Sequence, residues 1–397
     1  MPPSNKITPN NQDAENILDE LEAEDAEVTP STEKQIEQKY DEGQARIIIQ
    51  RNDFLVPNLL AMFEKREVLD MTPPYQRRTR WNDMKRSHLI ESLLMNIPIP
   101  PIFLYERDYA QYEVMDGQQR LASIRSFFRN EFKLRDLKVW TELNDRDFRD
   151  LPLKIQRGLE RRGLAAVIIL TESSKDPKAA MEIRQYVFER LNTGGEQLNP
   201  QEIRNCLYAS PFNEILISLA RSQAFTTVWG IPPKESTEPH KVSRKLERSP
   251  LYSRMADCEI VLRYFAMSDL SHFKGGMKRT LDNCMIRNQQ LKKSNCAELE
   301  AEYTEVFSLA SQIYGDSLFR LPSDGGLTGR RSVPLADAIL IAVSEARHKK
   351  KELVKHAAKI VGSTRAALEN EEQYELLVGR GNTKQAIRDR FTRASAH

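Results

Sequence analysis

The residues best suited to chemistry on a charged ligand form the short stretch Asp116–Arg120, whose sequence is Asp-Gly-Gln-Gln-Arg. Apolar residues in Tyr112–Met115 predict a strand before it, and the apolar spacing over Gln118–Arg129 predicts a helix after it. The first N–H groups of such a helix have no carbonyl partner within the helix, and this end of the helix dipole is positive. Gly117 would let a ligand approach the backbone, and Arg120 would lie in the first turn. The stretch therefore predicts an anion site, above all for phosphate.

A simpler interpretation of the same residues is open. Asp116 could be the acidic N-cap of the helix, and Arg120 could lie on the solvent-exposed face of that helix. These residues alone do not decide between a phosphate site and a well-capped helix.

Two further segments carry groups that a nucleoside triphosphate needs. Gln76, Arg77 and Arg78 belong to a basic stretch after two prolines, which predicts an extended loop, and Asn192 follows a predicted helix. A triphosphate is highly anionic and usually binds Mg²⁺, so it requires several arginines, a helix N-terminus and an oxygen ligand such as Asn or Asp. The alternatives are a plain basic loop at Arg77–Arg80 and a helix C-cap at Asn192.

The whole chain has no strong overall charge. Its 397 residues include 29 % charged residues, its formal net charge is +2, and its mean hydropathy is −0.57, which is typical of a soluble protein. Contacts with DNA must therefore come from local patches. The four cysteines are far apart, the N-terminus is polar, and no apolar run approaches the roughly 20 residues of a membrane span. We expect reduced thiols, a cytoplasmic location and no membrane contact.

Three regions are predicted along the chain. Residues 1–43 are rich in Asp and Glu and poor in large apolar residues, which predicts a disordered acidic tail; a short helix around Asn16–Glu22 is left open. Residues 44–210 contain strand-like runs at Ile102–Tyr105 and Leu164–Leu170 among helical segments, whereas residues 211–397 show only helical periodicity. The predicted fold class is therefore α+β, with a small mixed sheet in the first domain and an all-helical domain after it.

Several stretches, taken in order, resemble the ParB/sulfiredoxin-like superfamily. More closely, the chain resembles the N-terminal domain of GmrSD-type restriction systems, whose signature is the string found here at Asp116–Arg120. The stretches Pro74–Arg77, Leu93–Pro100 and Asn192–Gly195 support this resemblance, which covers residues 50–210.

The resemblance implies a ParB-like nucleotide-binding domain at residues 44–210. In ParB-type sites a Gly-x-x-Arg turn holds the triphosphate, and Gly117 and Arg120 occupy that turn here. Sulfiredoxins have a reactive cysteine in the central turn, where this chain has Gln118 and Gln119, so sulfiredoxin chemistry is not expected.

The resemblance also implies a magnesium site. In ParB-type sites a Glu-Asn pair holds magnesium, and this chain retains the asparagine as Asn192. Leu191 stands at the position of the glutamate, so Glu189 or Asp116 would have to replace it. The implied cofactors are a nucleoside triphosphate and Mg²⁺.

The predicted function is that of a nucleoside triphosphate-binding and hydrolysing regulatory component of a DNA-restriction or anti-phage defence system. GmrSD-type systems resemble a nucleotide-driven sensor coupled to an HNH-like nuclease, and this sequence has no clustered His and Asn for such a site. We therefore expect a separate nuclease partner in addition to nucleotide and DNA, and a homo-oligomer is left open. The predicted catalytic residues are Asp116, Gln119 and Arg120; the predicted nucleotide-binding residues are Gln76, Arg77, Arg78, Gly117, Gln118, Arg120 and Asn192; the predicted metal ligands are Asp116 and Asn192.

Two alternatives belong to other functional classes. One is a non-hydrolysing DNA-binding module that uses the basic segments 77–80 and 240–248, which predicts salt-sensitive DNA binding that nucleotide does not affect. The other is a DNA nickase that uses the Asp116 centre, which predicts metal-dependent nicking that Asp116→Ala abolishes.

Overall fold

The computed structural model describes residues 11–22, 33, 37, 47–65, 67–71, 81–170, 177–191, 199–236, 238, 242–273 and 276–379. Helix α1 (Asn11–Glu22) comes first, a five-stranded sheet with its helices follows, and the remaining described residues are mostly helical. The predicted α+β fold class is confirmed. None of the described helices is both long enough and apolar enough to cross a membrane.

The sheet is mixed and leads directly to the Asp116–Arg120 stretch. Its strands are β1 (Ile49–Leu55), β2 (Leu69–Asp70), β3 (Ile102–Asp108), β4 (Gln111–Asp116) and β5 (Gly163–Ile169). Their order is β1-β5-β3-β4-β2, with antiparallel pairs β1/β5 and β3/β4 and parallel pairs β5/β3 and β4/β2. Strand β4 therefore pairs with β2 at Tyr112 and Glu113, and it pairs with β3 as far as Asp116, where the stretch begins.

One face of this sheet carries an apolar core. Because side chains alternate along a strand, Leu104, Val114 and Ile168 point to the same face, and each is at most 1 % exposed. The helices of this region are α2 (Val56–Glu64), α3 (Asp83–Leu94), α4 (Gln118–Phe128), α5 (Leu153–Glu160) and α6 (Pro177–Leu191). Helix α6 packs on β4 through Arg184, whose partner Glu113 points to the opposite face of the sheet.

The rest of the described chain packs as helices around aromatic side chains. Neighbouring rings of Tyr264, Phe265, Tyr303 and Phe307 have centroids 5.2–5.8 Å apart. Separations of this size are typical of aromatic pairs in protein cores. The helices are α7 (Pro200–Leu207), α8 (Pro211–Ala220), α9 (Gln223–Trp229), α10 (Arg244–Glu247), α11 (Pro250–Ser253), α12 (Ala256–Met267), α13 (Met277–Asn288), α14 (Lys293–Tyr314), α15 (Val333–Ala346), α16 (Lys350–Lys355), α17 (Ala357–Glu369) and α18 (Glu371–Val378).

The chain divides into two compact regions at a different residue from the predicted one. Residues 29–198 form one region, and residues 1–28 together with 199–397 form the other, which we call the helical region. The predicted boundary at 210 stays a prediction, whereas the contacts group α7 with the helical region. The side chain of Asn199 caps α7 by accepting from the backbone N–H of Glu202 at 2.9 Å, and its Nδ2 donates to the carbonyl oxygen of Arg254 at 2.6 Å.

The prediction of a disordered tail at residues 1–43 does not hold for Asn11–Glu22, which form α1. Ala14 and Ile17 are 7 % and 4 % exposed, and α1 contacts α11 and α15. Ala14, Ile17, Leu18 and Leu21 recur at helical spacing and form an apolar stripe along α1.

Candidate functional site

Strand β4 changes register just before it reaches the candidate site. Phe103 of β3 pairs with Asp116, whereas the next residue, Leu104, pairs with Val114, so Met115 is an extra residue on β4. Such a bulge bends its strand and redirects the side chain that follows. Asp116 consequently stands at the end of the strand with 33 % of its side chain exposed.

Gly117 makes the turn from β4 into α4. Its φ of +95° lies in the left-handed region, which residues with a Cβ atom rarely adopt. A Cβ atom at this position would stand 2.6 Å from Cγ2 of Ile102 and 3.3 Å from Nη2 of Arg120. The position therefore requires glycine for two reasons. The space that a side chain would fill is occupied by Ile102, so the glycine serves the packing of the turn rather than the approach of a ligand from that side.

Helix α4 begins without a side-chain cap. Gly117 is its N-cap, and the carbonyl oxygen of Gly117 accepts from the backbone N–H of Leu121 at 2.9 Å. The interpretation of Asp116 as the N-cap is therefore wrong. The N–H groups of the first turn have no carbonyl partner within the helix, and the positive end of the dipole lies beside the end of β4.

The guanidinium group of Arg120 joins three parts of this corner. Its Nη2 donates to Oδ2 of Asp116 at 2.6 Å, and its Nη1 donates to the carbonyl oxygens of Pro100 and, at 3.2 Å, of Pro101. Only 12 % of the side chain is exposed, so the interpretation that placed Arg120 on the exposed face of the helix is wrong. Burial lowers the pKa of Arg120, and the carboxylate of Asp116 offsets part of this effect. The corner thus holds a fixed and partly desolvated positive charge.

The two glutamines contact Met71 and Trp81, the described residues before and after positions 72–80. Nε2 of Gln118 donates to the carbonyl oxygen of Met71, and the backbone N–H of Trp81 donates to Oε1 of Gln119 at 3.4 Å. Four predicted site residues lie outside the described residues, so their assignment stays a prediction: Gln76, Arg77, Arg78 and Asn192.

An ion pair that the sequence interpretation missed holds α6 against β4. Nη2 of Arg184 donates to Oε1 of Glu113, and their side chains are 12 % and 7 % exposed. The guanidinium carbon of Arg184 lies 5.9 Å from the ring centroid of Tyr105, whose pKa burial raises and Arg184 partly lowers. The sequence signal for this ion pair was Glu113, a charged residue within an otherwise apolar run. Because of this pair, the helix that precedes Asn192 is fixed to the strand that ends at Asp116.

The described residues place an arginine, a carboxylate and a helix N-terminus at one corner. Such a combination can bind an anion, and a carboxylate that gives one oxygen to a guanidinium can offer the other to a cation. Among the residues that the structure describes, no group of three or more His, Cys, Asp or Glu could hold a metal ion.

One comparison with known proteins covers this corner. Residues 58–209 match the family model described as GmrSD restriction endonuclease, N-terminal domain. The matched segment begins within α2, includes β2 to β5 with the corner, and ends just after α7. No curated protein and no solved structure gives a significant match. The wider ParB/sulfiredoxin-like resemblance stays a prediction, whereas the family match supports the resemblance carried by Asp116–Arg120: residues 58–209 are similar to the N-terminal domain of the GmrSD restriction endonuclease.

Proposed function

We propose that the corner between β4 and α4 binds and hydrolyses a nucleoside triphosphate, and that this activity regulates a DNA-restriction or anti-phage defence system. The observation that carries the proposal is the fixed guanidinium of Arg120 beside the N-terminus of α4. A positive helix end and a rigid arginine at one point match the charge and shape of a phosphate group.

The phosphate groups would contact the backbone at Gly117 and Gln118. Arg120 makes three hydrogen bonds within the described residues, and a guanidinium has five N–H donors, so it can hold a phosphate oxygen without leaving Asp116. Arg77 and Arg78 would neutralise the remaining charge, and Gln76 would add a polar contact. Support for including them is that Met71 and Trp81, the described residues on either side of 72–80, are both hydrogen-bonded to the corner.

Asp116 fits the role of a magnesium ligand, and Asn192 would be the second protein ligand. Mg²⁺ at nucleotide sites is commonly held by one or two protein groups together with phosphate oxygens and water, so a single carboxylate at the corner is sufficient. When bound, the ion would neutralise charge on the phosphates. Asp116 and Gln119 would orient the attacking water, and the contact of Gln119 with Trp81 limits its rotation.

The restriction role rests on the match of residues 58–209 to the GmrSD domain. We propose DNA and a separate nuclease as the partners of this chain. The basic side chains of Arg244, Lys245 and Arg248 on and beside α10 are exposed and offer contacts for DNA phosphates. This part of the proposal concerns assembly, and it can fail while the nucleotide site stands.

The test is release of inorganic phosphate from ATP, GTP, CTP and UTP by the purified chain in the presence of Mg²⁺. We expect turnover of at least one nucleotide, and we expect Asp116→Asn and Arg120→Lys to lower the rate by about 10²–10³-fold, as for loss of a charge-stabilising group. Asp116→Asn keeps the size of the side chain and Arg120→Lys keeps the positive charge, and circular dichroism of both variants checks that the fold is retained.

Matched controls lie at the ends of β3 and α4 that are far from the corner. Asp108→Asn changes an exposed carboxylate at the other end of β3, and Arg129→Lys changes an arginine just after the last residue of α4. Neither should change the rate. Equal rates for the wild type, the two site variants and the two controls would contradict the proposed catalysis. If nucleotide then left DNA binding unaltered, the DNA-binding module would be the favoured alternative.

A further inference from the structure

Strand β1 lies at one edge of the five-stranded sheet, and among the described strands only β5 pairs with it. Its seven residues pair with β5 without a register shift, and they include no proline, lysine or glycine. Proteins commonly protect an exposed sheet edge with a bulge, a proline, a lysine or a very short strand. The strand at the other edge, β2, has only two residues. Strand β1 is therefore the edge whose length and regularity suit it to pair with a further strand.

The hydrogen bonds to β5 show which residues of β1 present their backbone to the outer edge. The N–H of Leu170 donates to the carbonyl oxygen of Ile48, and the N–H of Val56 donates to that of Arg162, both at 2.9 Å. Bonded and non-bonded pairs alternate along an antiparallel ladder, so the even-numbered residues of β1 bond to β5. The N–H and C=O groups of the odd-numbered residues therefore point to the outer edge.

The sequence of β1 is self-complementary when two copies of the strand run antiparallel. With Asn52 opposite Asn52 of the second copy, Arg51 lies opposite Asp53, and Ile49 lies opposite Leu55. Both of these pairs join odd-numbered residues, whose backbone groups face the outer edge. Opposite charges in a cross-strand pair stabilise a sheet, whereas like charges destabilise it. A register centred on Arg51 or on Asp53 would put like charges opposite each other, so charge selects the register centred on Asn52.

The side chains of the four odd-numbered residues are exposed on one face of the sheet. Ile49 and Leu55 are 49 % and 48 % exposed, and Arg51 and Asp53 are exposed as well. A second copy of β1 would cover apolar surface at both ends of the strand and pair both charges at its centre.

We propose that β1 pairs with β1 of a second copy of this chain, so that one sheet continues across a symmetric dimer. A twofold axis at Asn52 uses every contact twice, which gives two pairs of Arg51 with Asp53 and two pairs of Ile49 with Leu55. Strands β5 and β3 separate β1 from β4, and the proposal does not depend on the nucleotide site.

Sedimentation velocity of the full chain over a series of concentrations tests the dimer. We expect the wild type to dimerise, and we expect Arg51→Asp and Asp53→Arg each to raise the dimer Kd by roughly tenfold or more, because each puts like charges opposite each other twice. An equimolar mixture of these two variants should dimerise again, because every charge pair between them joins opposite signs. Arg279→Asp makes the same change of charge at an exposed position of α13 and should leave the dimer Kd unaltered.

A wild type that stays monomeric at every concentration overturns the proposal. Dimerisation of either single variant as tight as that of the wild type also overturns it, and so does a mixture that dimerises no better than its components.

A disulfide tests the register directly, since the four native cysteines are buried. In the proposed dimer the two Cα atoms at position 52 form a non-bonded pair about 4.5 Å apart, which a disulfide can bridge. Asn52→Cys should therefore give a cross-linked dimer on air oxidation. Gln50→Cys, on the same face of β1, should not, because its two copies would lie roughly 14 Å apart. Equal cross-linking of the two variants overturns the register centred on Asn52.

Discussion

Two constraints exclude a side chain at Gly117: the backbone dihedral angle φ and the close approach of Ile102. Its left-handed φ disfavours any residue with a Cβ atom by about 1–2 kcal/mol, and overpacking against Ile102 adds about 1–3 kcal/mol. We expect Gly117→Ala to lower the free energy of unfolding by about 2–5 kcal/mol in total. Urea unfolding followed by circular dichroism measures this loss.

The control for this prediction is Gly158→Ala. Gly158 lies within α5, and an added Cβ atom there would have no heavy atom within 4 Å. Alanine has a helix propensity about 1 kcal/mol better than glycine, so stability should stay the same or rise. A loss of stability at Gly158 as large as that at Gly117 would show that the turn is not the cause.

The elements of the fold were predictable where local patterns decide the structure. The apolar runs at Ile102–Tyr105, Tyr112–Met115 and Leu164–Leu170 predicted β3, β4 and β5. Strand β1 was missed because Gln50–Asp53 are polar and most of its residues are exposed. Its extended structure depends on pairing with β5, which no local pattern reports.

The candidate site was predictable to the same extent. The sequence predicted the strand, the turn at Gly117 and the helix that follows. The contacts of Arg120 could not be predicted, because its acceptors at Pro100 and Pro101 lie 20 and 19 residues earlier. The same holds for Gln118, whose acceptor at Met71 is 47 residues away. Such pairs form when distant segments pack together, and no periodic pattern in the sequence indicates which segments these are.

Helices α7, α12 and α13 are joined by one buried arginine. Nη1 of Arg204 donates to Oε2 of Glu259 at 2.9 Å, and its Nε donates to Oδ1 of Asp282 at 2.7 Å. Arg204→Met would leave two carboxylates without their guanidinium in a buried site, where loss of one partner commonly costs about 3–5 kcal/mol. We expect a loss of this size in urea unfolding. The same change at the exposed Arg279 of α13 should cost little, and equal losses would contradict the assignment.

At the scale of the whole molecule, one compact region is formed by two stretches that are separated in the sequence. Residues 29–198 are inserted between α1 and the remainder of the helical region, so the two regions are joined covalently at two points. The proposed nucleotide site and the proposed dimer contact of β1 both lie in the inserted region.

This division predicts two unfolding transitions in calorimetry of the full chain, only one of which responds to nucleotide. A ligand that binds one native region at a hundred times its Kd stabilises that region by about 2.7 kcal/mol. With Mg²⁺ and the preferred nucleoside triphosphate, the transition that Gly117→Ala lowers should rise. The transition that Arg204→Met lowers should stay in place, because Arg204 belongs to the helical region. If nucleotide raised the transition assigned by Arg204→Met instead, the binding site would have to be sought in the helical region rather than at the corner of β4 and α4.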